Sequence, residues 1–166
     1  SCAGKHARIL EEYHGRTCKV QPFHDDYKAM EDITTVNAAF AYANEMGETH
    51  ILHLNQTLNF INGMEHSLLC PNQARANGAI VDDIPKLLDK RGVSTHSIIL
   101  SDDNIQFPLL SKGPISYLPV RYPTDEELDF CLHFDLTSSD DWDPSLFDNV
   151  EGRISAATSI STASDM

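Results

Sequence analysis

The chain has 166 residues, of which 41% are hydrophobic and 22% charged, as is typical of a globular protein with its own core. No apolar run approaches the roughly 18 residues that a membrane-spanning helix needs, so no membrane segment is expected. The net charge is −13, and eleven of the 25 acidic residues lie from Asp125 onward, where Arg153 is the only base. Because binding to a phosphate backbone requires clustered Lys and Arg, direct binding of nucleic acid is not expected.

Short stretches with the composition of β-strands dominate the chain. In chain order they are residues 6–13, 16–23, 32–42, 49–60, 80–85, 96–100, 105–110 and 115–120. A turn at His14 and Gly15 is predicted to separate the first two, and the third and fourth are predicted to form a hairpin across residues 43–48. This close spacing favours a barrel or sandwich over alternating strands and helices. The predicted fold class is therefore mostly β.

Two short helices are also predicted. Pro71 stands where a first helical residue belongs, and Gly78 stands where a carboxy-terminal cap belongs. Thr124 is placed to cap a second helix, with Glu127 three residues later completing a capping box. Residues 138–166 are acidic and then rich in Ser and Thr, which predicts a linker or a disordered tail after the domain.

Histidines and paired acidic residues offer no clear metal site. His50 and His53 are three residues apart in a predicted strand, so their side chains should point to opposite faces. No further His or Cys cluster completes a zinc ligand set. The acidic pairs at 25–26, 82–83 and 102–103 fall in predicted loops, where such pairs are usually solvated turn residues. No metal and no cofactor are therefore predicted.

Nucleophilic catalysis finds little support in the sequence. One alternative is that Cys2 acts as a thiol nucleophile with His6 as its base, and a second is that Ser1 acts as an amino-terminal nucleophile. The irregular opening of the chain does not fix the relative positions of Cys2 and His6, four residues apart, and supports the Ser1 version no better. The cysteines are spread singly and contain no CxxC pair, which is typical of reduced thiols. They are Cys2, Cys18, Cys70 and Cys131.

The segment 54–78, LNQTLNFINGMEHSLLCPNQARANG, resembles the protease region of copia-like retrotransposon polyproteins, especially the divergent versions of diatoms and other microbial eukaryotes. In that family a strand and a turn lead to a Leu-Leu-Ser/Asn motif and then to a short Gln-containing helix that ends in Gly. The opening SCAG resembles the end of an altered catalytic turn of the same family, Asp-Thr-x-Cys-Ala-Gly. The resemblance covers roughly residues 1–124 and is best over 47–83.

The resemblance implies a retropepsin-like closed β-barrel or sandwich over residues 1–137, truncated at its amino terminus, with 96–137 the less similar part. It also implies an aspartic endopeptidase that cleaves its own polyprotein inside cytoplasmic particles. Aspartic proteolysis needs two carboxylates that share one proton. A chain with a single Asp turn takes the second from a partner, so a C2 homodimer and a polyprotein peptide are the implied partners.

The resemblance assigns roles to three groups of residues. Ser1, Cys2 and Ala3 are expected to form the active-site loop. The core support beneath that loop is expected from Leu68, Leu69 and Cys70, with both leucines buried. A flap over the substrate is expected from Phe23, His24, Asp25, Asp26 and Tyr27.

Neither Asp-Thr-Gly nor Asp-Ser-Gly occurs in the chain. The catalytic Asp is therefore expected just before Ser1, and residues 1–166 by themselves are expected to lack peptidase activity. The alternative is a degenerate or domesticated β-domain that keeps the fold without catalysis and acts in assembly or protein interaction. An Asp codon immediately upstream of Ser1 would favour the protease, and its absence would favour the alternative.

Overall fold

In the computed structural model the described residues are 1–22, 26 and 28–148. The strands are β1 Cys2–Ala3, β2 Arg8–Val20, β3 Met30–Ala43, β4 Thr49–Asn59, β5 Ile80–Asp82, β6 Ser97–Leu100, β7 Ile105–Pro108, β8 Leu110–Lys112, β9 Ile115–Tyr117 and β10 Leu132–Asp135. The helices are α1 Pro71–Ala76 and α2 Asp125–Phe130, and a 3-10 turn spans Lys86–Leu88. The predicted mostly β character is confirmed.

The main sheet is built around β4. Its strand order is β1-β4-β3-β2, and β10 pairs with β4 as well. The antiparallel β3–β4 pair confirms the predicted hairpin. Because β3 occupies one edge of β4, both β1 and β10 lie along the other edge, parallel to β4. β1 pairs near Leu58, and β10 pairs between His50 and His53.

The prediction of two strands separated at His14 and Gly15 is wrong. β2 is one strand that pairs along β3, with a register shift between Tyr13 and Thr17 that takes up these residues. An irregularity of this kind lets a long strand keep its pairing on both sides of extra residues. His14 and Gly15 therefore lie at an irregularity in the β2–β3 pairing and not at a turn that reverses the chain.

The later predicted strands are present, but they form two smaller sheets, and the predicted strand 105–110 is divided between β7 and β8. One has the order β5-β6-β7, and β8 pairs with β9 as a hairpin. Both predicted helices are present, and the capping box of α2 is confirmed. The Thr124 hydroxyl accepts a hydrogen bond from the Glu127 amide at 3.1 Å, and the Glu127 carboxylate accepts one from the Thr124 amide at 3.0 Å. Hydrogen bonds from Arg121 and then from Thr124 lower the pKa of Glu127 to about 2.

A closed barrel is not found among the residues that the structure describes. The main sheet ends at β2, which pairs with β3 and has no fully buried residue along its length. A strand inside a closed barrel would bury one face, so β2 instead forms an open, solvent-facing edge.

The β3–β4 hairpin is buried on both faces. On one face, Tyr42 contacts the ring of Phe107 edge-on at 5.4 Å, which joins the main sheet to the three-stranded sheet. On the other face, Leu128 of α2 and Cys131 just after it pack against Ala39, Ala41 and Ile51. A third cluster brings together Ala3, Ala7, Val36, Ala38, Phe40 and Leu54. This two-sided burial explains why the sequence of β3 is almost continuously apolar near its end.

The first residues of the predicted tail lie against the main sheet. Gln56 donates a hydrogen bond to the carbonyl of Ser139 at 3.2 Å, and Arg16 contacts Asp141 at 2.8 Å. The ring of Trp142 lies 5.8 Å from that of Phe147. The rest of the predicted tail, 149–166, lies outside the described residues. Across the described part of the chain, no helix is long and apolar enough to cross a membrane.

Candidate functional site

The opening segment lies as an extended strand between two other parts of the chain. On one side, the Ser1 carbonyl accepts from the Leu58 amide at 3.0 Å, and the Ala3 carbonyl accepts from the Phe60 amide at 2.9 Å. On the other side, Cys2 and Leu68 exchange two main-chain hydrogen bonds, both at 2.9 Å. Four main-chain bonds in three residues fix the path of this segment.

Side-chain hydroxyls complete the attachment of the opening segment. The Ser1 hydroxyl accepts a hydrogen bond from the Cys70 amide at 2.9 Å, and the Ser67 hydroxyl accepts one from the Gly4 amide at 2.9 Å. Ala3 is fully buried in one of the core clusters. Residues 67–70 therefore hold the segment with main-chain and side-chain groups alike.

Gly4 leaves no space for a side chain. A Cβ atom at this position would lie 2.8 Å from the carbonyl carbon and oxygen of His66 and 2.9 Å from the carbonyl oxygen of Met64. These are main-chain atoms that cannot move as a side chain can. The glycine is thus required by the close approach of two chain segments.

Gln73 connects the opening segment to β4. Its side chain is 2% exposed, and its Oε1 atom accepts a hydrogen bond from the Ser1 nitrogen at 3.1 Å. Its Nε2 atom donates to the carbonyl oxygens of Asn55 and Gln56 at 3.2 and 2.9 Å. The first turn of α1 thereby reaches both the opening segment and the middle of the central strand.

The β4 carbonyls that Gln73 contacts belong to an irregularity in the strand. Gln56 has a φ of 52°, and its amide donates to the side chain of Asn37 at 3.0 Å. The hydroxyl of Thr137 accepts from the Asn55 amide and donates to the Asn55 carbonyl, both at 2.7 Å. Buried main-chain groups that leave the ladder need such partners, and here each one is supplied.

The structure brings together two of the three predicted groups. Cys2 is hydrogen-bonded to Leu68 and Ser1 to Cys70, while Ala3, the third residue of the segment, is hydrogen-bonded to Phe60. Leu69 is half-buried and packs against two of the core clusters. The expected burial of Leu68 is wrong, since 57% of this residue is exposed. Leu68 pairs with Cys2 through its main chain, so its side chain is free to point outward.

The predicted flap falls almost entirely outside the described residues. Phe23, His24, Asp25 and Tyr27 lie outside them, and Asp26 is exposed in a turn. The flap assignment therefore stays a prediction.

Cys2 is not set up as a nucleophile. Burial raises the pKa of its thiol, and the neighbouring amino group lowers it by less. A raised pKa keeps the thiol protonated at neutral pH, whereas nucleophilic attack requires the thiolate. In the described part of the chain no hydrogen bond joins Cys2 to His6, whose ring lies 3.8 Å from the Glu65 carboxylate. All four cysteines are free thiols.

A second polar cluster lies where β10 meets β4. The rings of His53 and His133 stack with their centroids 4.9 Å apart, and Asp135 accepts a hydrogen bond from Asn55 at 2.9 Å. His133 and Asp135 border an open cleft of about 260 Å³ that Asp102 and Asp103 also line. No set of three or more His, Cys, Asp or Glu side chains among the described residues is arranged to hold a metal ion.

Sequence reasoning missed Gln73 and the polar groups that surround it. A usable signal was present, because Asn55, Gln56 and Thr57 are three successive polar residues in the interior of a predicted strand. The buried polar groups of Asn55 and Gln56 require hydrogen-bond partners from elsewhere in the chain, whereas the buried Thr57 hydroxyl has no partner among the described residues. The partners themselves, Asn37 and Thr137, come from distant parts of the chain and carry no local signal.

Comparisons of the chain with protein-family models, with curated proteins and with solved structures find no match in any of the three.

Proposed function

We propose that the chain is the retropepsin-like aspartic endopeptidase region of a retrotransposon polyprotein, with its catalytic Asp contributed just ahead of Ser1. The observation that carries the proposal is the fixed path of the opening segment between Leu58–Phe60 and residues 67–70. A catalytic carboxylate must be held to within a fraction of an ångström of its working position. The segment that would follow such an Asp has the required support.

In this proposal residues 1–137 form a divergent retropepsin-like domain that works as a C2 homodimer. Each copy supplies one Asp turn, and the two carboxylates share a proton because like charges about 3 Å apart cannot both ionise. The ionised carboxylate takes a proton from the attacking water, and the protonated one donates to the carbonyl oxygen of the peptide. The small residues Ser1, Cys2 and Ala3 would allow the two turns to approach closely.

Gln73 fits this scheme as a positioning residue. With a peptide bond ahead of Ser1, its amide N–H would donate to the Gln73 Oε1 atom as the amino group does at 3.1 Å. Gln73 would then set the direction in which the preceding residue leaves the domain. The substrate in this proposal is a peptide of the parent polyprotein, cleaved within cytoplasmic particles.

The test uses the chain extended by the residues encoded directly upstream. If these residues include an Asp turn, the extended protein should cleave a polyprotein peptide in a pepstatin-sensitive manner. Replacing that Asp by Asn should abolish cleavage without loss of the fold, and residues 1–166 alone should be inactive. Cleavage by residues 1–166 alone would contradict the assignment, as would an upstream sequence without Asp.

The alternative function is a non-catalytic β-domain that mediates assembly. It is favoured by the composition of the described site, where the groups hydrogen-bonded to residues 1–4 are main-chain atoms, Ser67 and Gln73, and no carboxylate. The absence of an upstream Asp codon would select this alternative. Retention of a stable fold after Asp-to-Asn replacement would be compatible with both functions. The upstream codon and the cleavage assay therefore distinguish the endopeptidase from the non-catalytic domain.

A further inference from the structure

Residues 84–93, here called the basic loop, form an exposed apolar surface. Leu87, at the 3-10 turn, is 100% exposed, Leu88 is 68% exposed and Val93 is 65% exposed. An isolated exposed leucine is ordinary, but a contiguous exposed apolar group is a usual mark of an interaction site. The exposed apolar side chains of the basic loop therefore mark a candidate surface for binding another molecule.

The charges of the basic loop are positive in a chain whose net charge is −13. Lys86 and Lys90 are exposed, and neither forms an ion pair with any residue that the structure describes. The single carboxylate of the loop, Asp89, is used internally, because it accepts from the amides of Val93 and Ser94 at 2.9 and 2.6 Å. Two free ammonium groups thus flank the exposed leucines.

The basic loop has a fixed conformation. Besides the amides of Val93 and Ser94, Asp89 accepts hydrogen bonds from the amide and the guanidinium of Arg91 at 3.0 and 3.1 Å. Burial by itself would raise the pKa of Asp89, but these hydrogen bonds lower it to about 2. The loop is therefore held as a pre-formed surface at neutral pH, which reduces the entropy that docking would cost.

A complementary surface lies on α2. Glu126 and Asp129 are exposed and form no ion pair within the described ranges, and Phe130 is 86% exposed. Residues three and four apart share a face of a helix, so these three side chains lie together. Leu128 packs against the opposite side, on the main sheet. This acidic face, defined by Glu126, Asp129 and Phe130, combines the opposite charge with an exposed aromatic ring.

We propose that the basic loop of one copy docks on the acidic face of a second copy. In the assembled contact Lys86 and Lys90 lie opposite Glu126 and Asp129, while the leucines of the loop cover Phe130. The two surfaces are different, so the contact is heterologous and leaves one free loop and one free acidic face on each growing assembly. It therefore generates a chain of copies, or a ring where the rotation closes.

This contact is independent of the C2 dimer in the proposed function, which would form around the opening segment. The two surfaces are small, so the contact should be weak and should appear at high local concentration, as inside an assembled particle. Because it depends on exposed charges, it should weaken as salt shortens the range of their attraction. It would serve either the protease or the assembly alternative.

The test is a charge exchange measured by sedimentation velocity over a wide range of protein concentration. The wild type should show concentration-dependent growth that is suppressed at about 0.5 M salt, where the screening length is only a few ångströms. Lys86→Glu with Lys90→Glu should abolish the growth, since an acidic loop then faces an acidic helix. Glu126→Lys with Asp129→Lys should also abolish the growth, since a basic helix then faces the basic loop.

An equimolar mixture of these two double variants should restore the growth. In the mixture each native surface finds a native partner, and the two reversed surfaces are complementary to each other. Lys19→Glu with Lys28→Glu changes the net charge by the same amount as the loop variant, at the end of the β2–β3 pair remote from Arg8, which contacts α2, and should behave as the wild type. Leu87→Ser should weaken self-association by roughly tenfold or more at unchanged charge, because it removes the apolar part of the contact.

A wild type that sediments at one size at every concentration would overturn the proposal. A mixture that fails to grow although both variants remain folded would overturn it as well, as would growth that survives in either variant alone. Loss of an opening-segment dimer would leave the charge exchange unaffected, so failure of the proposed function and failure of this contact are distinguishable.

Discussion

The Nε2 atom of His53 lies 2.6 Å from the Nδ1 atom of His133, and this contact joins β4 to β10. The Nε2 atom of His133 lies 2.7 Å from the carbonyl oxygen of Leu128, which accepts hydrogen bonds only. The proton of neutral His133 therefore sits on Nε2, its Nδ1 is an acceptor, and His53 is the donor. A chain of two imidazoles thus connects β4, β10 and the end of α2.

We expect the fold to lose stability as His53 becomes protonated. Burial lowers the pKa of His53 below its ordinary value of 6.5, Asp135 raises it and His133 lowers it further, with a net decrease. A His with a lowered pKa binds fewer protons in the folded state, so stability falls as pH drops through 6.5 towards the lowered value. The free energy of unfolding should thus decrease as the pH falls through 6.5, the ordinary pKa of a histidine.

The measurement is denaturant unfolding at several pH values for the wild type and His53→Gln. The variant should show a weaker pH dependence, because it lacks the titrating group. His14→Gln, which replaces an exposed histidine, is the control and should retain the wild-type dependence. An unchanged slope in His53→Gln would show that the pair does not couple to folding.

Replacing Gln73 by Leu should destabilise the protein by about 1–3 kcal/mol, because the carbonyl of Gln56 would lose its side-chain donor and that of Asn55 would keep only the Thr137 hydroxyl. The side chain keeps roughly its volume, so the effect comes from hydrogen bonding and not from a cavity. The matched control is Gln21→Leu at an exposed position. Chemical denaturation of both variants checks the expectation, and equal costs would rule out a special role of the buried amide.

Replacing Gly4 by Ala should destabilise the protein by about 1–3 kcal/mol, the usual range for forcing an atom into a packed site. The added Cβ would meet main-chain atoms of Met64 and His66 below 3.0 Å. Gly63→Ala is the control, since a Cβ there meets nothing within 4 Å. Thermal unfolding of the two variants measures the difference. A Gly4→Ala protein as stable as the control would mean that residues 64–66 can move away.

The two leucines of the Leu-Leu motif should respond differently to truncation. Leu69→Ala should cost about 1–3 kcal/mol, because Leu69 packs against two core clusters while remaining partly exposed. Leu68→Ala should cost less than about 1 kcal/mol, as is usual for an exposed side chain. Glu65→Ala provides the exposed comparison. A denaturation series that ranks Leu68 above Leu69 would contradict the observed burial.

Local patterns were sufficient to predict much of the secondary structure. The hairpin of β3 and β4 follows from β-branched and aromatic residues on either side of a polar turn, and both helices follow from their end residues. Pro71 begins α1, and Thr124 with Glu127 begins α2, because capping depends on residues only three positions apart. Chemistry of this range is readable from a single sequence.

The arrangement of the strands and the burial of individual side chains depend on pairing between distant parts of the chain. The local sequence does not predict that Leu132–Asp135 pairs parallel to β4, because this pairing depends on contacts between residues about 80 positions apart. The exposure of Leu68 could not be read from its hydrophobicity, because its orientation is fixed by main-chain pairing with Cys2. The role of Gln73 could not be predicted either, because its hydrogen-bond partners, Ser1 and the carbonyls of Asn55 and Gln56, are distant in the sequence. Composition and capping thus determined the elements, while burial and hydrogen-bond partners depended on which elements met in space.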